Sequence, residues 1–171
     1  MKKRTIKIIF LTIISFCIGF LAYEINSKLN YKKEVTKRIQ NLPNFTFHSV
    51  KVKTFTRENL PDKPVIFVYF NSDCDYCKSE ATKIQEHLTD FKNTLLVFIS
   101  FEGVKDITQF AKDYKLYKIE NVLFLEDREA KFSQIFDVNS IPYIVVYDKN
   151  KKLLRKFKGA TKIDDILKVL E

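Results

Sequence analysis

Cys74 and Cys77, separated by Asp75 and Tyr76, are the residues whose types and spacing point most directly to chemistry. Two thiols one helical turn apart can alternate between a dithiol and a disulfide, with one sulfur attacking and the other resolving. The pair directly follows the apolar run 64–70 and opens an amphipathic stretch, the context in which a Cys-x-x-Cys spacing is informative. A strand there aims the turn outward, and a helix N-terminus, with its partial positive charge and free N–H groups, favours the thiolate of Cys74. Cys77, one turn inside the helix, is placed to attack a mixed disulfide formed at Cys74. Cys74 is therefore the expected nucleophile and Cys77 the resolving thiol. Asp73 and Asp75 flank the nucleophile and oppose the helix-end effect, which leans the pair toward reduction, although water screens charges on a surface.

Two other readings of the pair are weaker. A zinc site needs two further ligands, and the domain supplies only His48 and His87, which are not paired in spacing. A purely structural bridge would close so short a loop that it adds little stability.

The elements that must position the thiols are legible as runs of apolar residues. From Phe45 onward short apolar runs alternate with amphipathic ones, the pattern of an α/β layer fold. Phe45, Phe47, Val50 and Val52 suggest an edge hairpin, and 64–70 a strand buried on both faces. A helix is predicted over 73–91, a strand over 95–99, a helix over 105–114 with Ile107, Phe110 and Ala111 on one side, a strand over 121–125 and a short helix over 130–136. Strands over 143–147 and 153–157 flank the turn 148–151, where Asn150 suits a left-handed conformation. Thr161 is the expected cap of a last helix, with Ile163, Ile166, Leu167 and Leu170 inward.

Ahead of this domain lies a different kind of segment. Basic residues at 2–4 precede Ile8 to Tyr23, 16 residues without a charged side chain, from whose near end Lys7 can snorkel. Counted from Thr5, the run approaches the roughly 20 residues that span a bilayer. A cleaved signal peptide wants small residues near the end of the run, where only Ala22 stands, and a lipoprotein site at Cys17 wants a small residue where Phe16 stands. The reading is an uncleaved signal anchor over 1–23, a polar helical spacer over 24–44 and the domain over 45–171. The early basic cluster orients the anchor with its N-terminus in the cytoplasm and the domain on the exported side of the cytoplasmic membrane, although five Lys/Arg also follow the run.

The formal charge of +9 does not signal nucleic-acid binding. Residues 1–41 carry a net +7 and residues 42–171 only +2, with both signs interspersed.

Ser140-Ile141-Pro142 opens a strand, and together with the earlier Cys pair it resembles the cis-proline loop of thioredoxin-like proteins. Across about residues 45–170 the order of elements is similar to that superfamily, and with the anchor it looks most like the membrane-tethered TlpA/ResA type. The resemblance implies an α/β thioredoxin-like fold, a central mixed sheet flanked by helices, preceded by a transmembrane helix. It implies a redox-active Cys74–Cys77 disulfide and a substrate-binding rim of Ser140, Ile141, Pro142, Asp75 and Tyr76. Glu102 stands where ResA-like reductases carry an active-site glutamate, with Phe110 at the expected spacing, which implies a proton relay to Cys77. The chain departs from thioredoxin in having Asp73 in place of Trp before the first Cys and Val68 in place of a buried Asp. The implied activity is dithiol–disulfide exchange with exported protein substrates, as a reductase charged by a membrane-embedded donor, with cytochrome c maturation as the role and no soluble cofactor. Two rivals remain. A peroxiredoxin-like thiol peroxidase would want Thr where Asn71 stands, and a non-catalytic binding module would not need both cysteines.

Overall fold

The structure is a computed structural model that describes residues 2–49 and 54–171. The chain divides into two compact units, Met1–Arg38 and Ile39–Glu171. Helix α1, Lys2–Ile39, runs without interruption through the apolar run and the polar stretch after it, so the expected anchor and spacer are one helix. It is long and apolar enough to cross a membrane.

The second unit begins at Ile39 rather than at 45 because the residues from 39 are tied into it. Ile39 and Leu42 are fully buried. The hydroxyl of Tyr147 donates to the Ile39 carbonyl (2.7 Å), Leu42 N–H donates to Lys151 O (2.9 Å), and Leu153 N–H donates to Gln40 O (2.9 Å).

Strands β1 (Thr46–Ser49) and β2 (Phe55–Thr56) form the expected antiparallel hairpin. Val50 and Val52, part of that expectation, lie outside the described residues. The chain continues through β3 (Val65–Tyr69), α2 (Asp75–Glu86), β4 (Leu95–Ser100), α3 (Val104–Asp113), β5 (Val122–Glu126), α4 (Lys131–Phe136), β6 (Tyr143–Tyr147), β7 (Leu153–Lys158) and α5 (Ile163–Leu167). The strands lie in the order β2-β1-β5-β4-β3-β6-β7. β3, β4 and β5 are parallel, whereas β6 is antiparallel to β3 and β7 to β6, giving the mixed sheet that was expected.

Connections β3–α2–β4 and β4–α3–β5 step the same way across the sheet, so the right-handed crossover rule puts both helices on one face. Ile66, Val68 and Phe70 there meet Cys77, Ala81 and Ile84 of α2, Ile107, Phe110 and Ala111 of α3, and Ile163 and Ile166 of α5 in one core. The opposite face is an aromatic layer, in which Phe67 meets Phe45, Phe132, Phe136 and Tyr147 while Tyr69 stacks on Phe132. Burial on both faces is why β3 reads as an unbroken apolar run.

Three local expectations are corrected. Helix α2 stops at Glu86 instead of 91, and the turns that follow are held by the Asn121 amide, which donates to Phe91 O (2.8 Å) and Thr94 O (3.1 Å). Lys151, not Asn150, takes the left-handed turn position (φ 62°), where its ammonium reaches the carbonyls of Pro61 and Lys63 (2.7 and 2.8 Å). Lys162, not Thr161, stands at the N-cap of α5; the Thr161 hydroxyl donates to Gly159 O (3.1 Å) and its N–H to the Glu80 carboxylate (2.9 Å). With α5 ending at Leu167, Leu170 falls beyond it.

The Tyr147 hydroxyl is the hydrogen bond that closes the start of the domain onto the sheet. Replacing it in Tyr147→Phe leaves the Ile39 carbonyl buried without its donor, at an expected cost of about 1–3 kcal/mol. Urea denaturation of the solubilised full chain, followed by far-UV circular dichroism, checks this, and an unchanged midpoint would show that the bond carries no stability.

Candidate active site

The site forms where β3 ends. Phe70 N–H makes a last bond to Ile99 O (3.0 Å) in the parallel ladder, and the chain then turns from buried strand to helix within Asn71–Cys74. Two bonds close that turn: Cys74 N–H donates to Asn71 O (3.2 Å) and Asp73 N–H donates to the Asn71 side-chain oxygen (2.9 Å). An Asn side chain that bonds its own backbone two residues on is an established turn former.

Cys74 is the N-cap of α2, and its sulfur accepts the Cys77 N–H at 3.3 Å. This is one of the donors a helix N-terminus leaves unpaired, and here it faces the sulfur expected from the sequence to be the nucleophile. Cys74 is half-buried, whereas Cys77 is only 2% exposed and packs in the core with Ala81 and Ile84. Both are free thiols, so the structure shows the dithiol form of the pair expected to bridge.

Burial pushes the Cys77 thiol well above the ordinary range, and its hydrogen bond with Cys74 raises it further. A backbone hydrogen bond from Asn71 acts the other way, while the charges of Cys74 and Glu102 add to the rise.

The Ile141–Pro142 bond is cis, and the Cys74 thiol lies 3.9 Å from Ile141 O. Of the expected rim, the structure thus brings Ile141 to the nucleophile, with Pro142 buried behind it and Ser140 exposed at its side. Tyr76 is 69% exposed on the first turn of α2. Asp75 points into solvent and pairs with Lys78 (3.1 Å), so its charge is partly answered rather than free to oppose the helix end.

Glu102 follows β4 and reaches the turn that carries Cys74. One oxygen accepts Ser72 N–H (2.7 Å) and the Ser100 hydroxyl (2.8 Å), and the other accepts the Ser72 hydroxyl (2.5 Å).

Sequence reading missed Ser72, Ser100 and, most clearly, Glu80. Glu80 has 0% exposure, on the same buried face of α2 as Cys77 and Ala81. One of its oxygens holds Thr161 N–H and the other has no partner among the described residues. Burial raises its pKa, opposed by the Thr161 bond and by Lys83. The available signal was spacing: three residues after Cys77 is one helical turn, a position on the core side.

A family model described as "AhpC/TSA family" matches residues 39–160. No curated protein matches the chain. Among solved structures, a secreted Mycobacterium tuberculosis disulfide oxidoreductase homologous to E. coli DsbE is similar at 20% identity and TM-score 0.63, covering 78% of this chain and 96% of its own. StoA from Bacillus subtilis is similar at 14% identity and TM-score 0.60, over 75% of this chain and 97% of its own. Peroxidoxin BcpB from M. tuberculosis is similar at 17% identity and TM-score 0.64, over 75% and 92% respectively. At these identities the likeness is one of fold, and that fold is thioredoxin-like.

Three outcomes follow from the burial of Cys77 and Glu80. Iodoacetamide at pH 7 should modify Cys74 in the reduced chain and leave Cys77 intact, as read by peptide mass mapping, and equal labelling would contradict the burial of Cys77. Because the folded pKa of Cys77 lies above the unfolded value of about 8.5, the stability it contributes is present below that pH and lost as pH rises beyond it. The reduced wild type should therefore lose stability above about pH 8.5 more steeply than Cys77→Ser. Glu80 has the same sign in a lower window: stability falls as pH rises from about 4.3 through its raised folded value. Glu80→Gln should flatten that part of the urea-midpoint profile, and an unchanged slope would assign it to another acid.

Proposed function

Because the chain belongs to the AhpC/TSA family and carries a thioredoxin-like fold, we propose that it is a thiol–disulfide oxidoreductase acting on protein cysteines. The observation that carries this is the pairing at the start of α2: a half-buried sulfur receives a helix N–H and lies beside Ile141 O, with a second thiol buried one turn beneath it.

In the reducing direction the Cys74 thiolate attacks a substrate disulfide. One substrate sulfur leaves as a thiolate and takes up a proton, and a mixed disulfide with Cys74 remains. Cys77 then loses its proton, attacks the Cys74 sulfur and expels the second substrate thiolate. Two electrons pass to the substrate and the Cys74–Cys77 disulfide is left behind. The hydrogen bond and charge of Cys74 are two of the causes that keep Cys77 protonated. Once Cys74 is in a mixed disulfide its charge is gone, so the resolving thiol becomes easier to ionise at the step that needs it.

The finer reading is of the TlpA/ResA type: a domain held by residues 5–23 on the exported side of the cytoplasmic membrane, receiving electrons from a membrane-embedded donor and reducing exported proteins, with cytochrome c maturation as the pathway. The apolar helix α1 and the basic residues before it support the anchoring and orientation. Ile141 O beside Cys74 supports an extended polypeptide as substrate, since a carbonyl has a second lone pair that can accept a substrate backbone N–H.

A thiol peroxidase is the second reading, favoured by the family match and the likeness to peroxidoxin BcpB. Asn71 stands where that chemistry wants a Thr hydroxyl, and its side chain is committed to the turn.

Cys74→Ser should abolish insulin reduction by the solubilised chain, and Cys77→Ser should accumulate a mixed disulfide visible on non-reducing gels. Retained insulin reduction in Cys74→Ser would overturn the assignment, and rapid peroxide consumption without insulin reduction would move it to the peroxidase. A reduction potential near −270 mV, about that of thioredoxin, is expected of a reductase, and one of about −120 mV would make the chain an oxidant.

A further inference from the structure

The carboxylate of Glu102 occupies a place that a proton carrier would occupy, but its bonding is that of a clamp. Three donors converge on it, and none of them is a cysteine: Ser72 N–H, Ser72 Oγ–H and Ser100 Oγ–H. Ser100 is fully buried at the end of β4, which makes it a rigid point of attachment. It also accepts the N–H of Glu102 (3.2 Å), so this hydroxyl fixes both the backbone and the side chain of Glu102. Ser72 lies inside the four-residue turn that delivers Cys74. Its neighbours Asn71 and Asp73 make the bonds that shape the turn, through Cys74 N–H to Asn71 O and Asp73 N–H to Asn71 Oδ1.

From this geometry we propose that Glu102 is a positioning residue for the dithiol, acting through Ser72 to lock the turn that orients both sulfurs, and not a group that exchanges protons with them. The proposal deepens the oxidoreductase reading and rests on it for the reaction, although the clamp itself is testable without turnover. The chain links β4, the turn and both thiols in one covalent and hydrogen-bonded path: Ser100 holds Glu102, Glu102 holds Ser72, and the Asn71–Cys74 turn holds the sulfurs. If the Ser72 N–H loses its acceptor, the Phe70 bond to Ile99 is the one remaining hydrogen bond, among the described residues, that ties the start of the turn to β4.

Glutamine separates the two roles. The amide oxygen of Glu102→Gln can take both Ser72 N–H and the Ser100 hydroxyl. Its NH2 can donate to Ser72 Oγ, the hydroxyl turning from donor to acceptor. The clamp survives and the ability to carry a proton is lost. Alanine removes both. Loss of the negative charge near Cys77 is common to the two variants, so their difference isolates the hydrogen bonds.

The experiment uses the full chain, reduced and detergent-solubilised, and measures the rate of Cys74 alkylation by iodoacetamide from pH 5 to 10, alongside insulin reduction. Expected for Glu102→Gln is an alkylation profile of unchanged shape and both rates within about threefold of wild type, since it exchanges one good set of hydrogen bonds for another. Expected for Glu102→Ala is a displaced alkylation profile and a fall in insulin reduction of about tenfold or more, the size of a lost charge-assisted bond. Ser100→Ala, which keeps the Ser72 contacts, should fall between them and serves if Glu102→Ala does not fold. Glutamine as impaired as alanine, with the loss of one limb of the pH profile of insulin reduction, would overturn the clamp in favour of a proton carrier. An unaltered Cys74 profile in both Glu102→Ala and Ser100→Ala would also overturn it. Should Cys74→Ser still reduce insulin, the oxidoreductase reading falls, while the alkylation profiles continue to report on the clamp.

Discussion

The structure around the thiols depends on a change of environment over very few residues. Phe70 is still in the core, bonded to Ile99 and packed on Phe110, while Asp73 is exposed and Cys74 already caps a helix. Between them Asn71 and Ser72 must reverse the chain and keep its polar groups satisfied at the boundary between core and water. Buried backbone groups without partners are costly, so the turn is built from residues that supply their own. The Asn71 side chain takes one N–H, the Asn71 carbonyl takes another, and Glu102 takes that of Ser72. The positions of both sulfurs are consequences of this accounting.

From there the chemistry divides by depth. Cys74, at the helix end, has a donor on its sulfur and access to solvent, the two conditions a thiolate nucleophile needs. Cys77, one turn down, is closed off from solvent, and burial among apolar side chains keeps it protonated. The difference between the thiols is one of burial, which a single helical turn is enough to produce because α2 lies against the sheet with Cys77, Ala81 and Ile84 inward.

Much of this was readable from residue patterns alone. The unbroken apolar run of β3, the Cys pair after it and the proline before β6 are each set by local rules: burial on both faces, a helix start and a bond geometry peculiar to proline. What escaped depends on contacts between residues distant in sequence. Glu80 looks like any acid on an amphipathic helix until Thr161, 81 residues away, is seen donating to it. Thr161 itself lies one residue ahead of the N-cap of α5, with its hydroxyl turned back to Gly159 O. Ser72 and Ser100 carry no signal of their own, being small polar residues that acquire a role only because Glu102 stands between them. The burial of Ile39 and Leu42 is hidden for a related reason: they read as the end of a polar helix, and their burial is decided by β6 and by the chain leading into β7.

Two carboxylates near the active-site turn come from different elements, and their surroundings differ. Glu102 meets three donors at the edge of the core, so its oxygens are occupied in holding backbone and hydroxyl groups in place. Glu80 meets one donor inside the core, and its second oxygen faces no partner among the described residues, an arrangement in which burial penalises the charged form. Glu80 stands on the buried face of α2 and Glu102 just after β4, and Val68, a plain core residue, stands where thioredoxin has a buried aspartate beneath the pair.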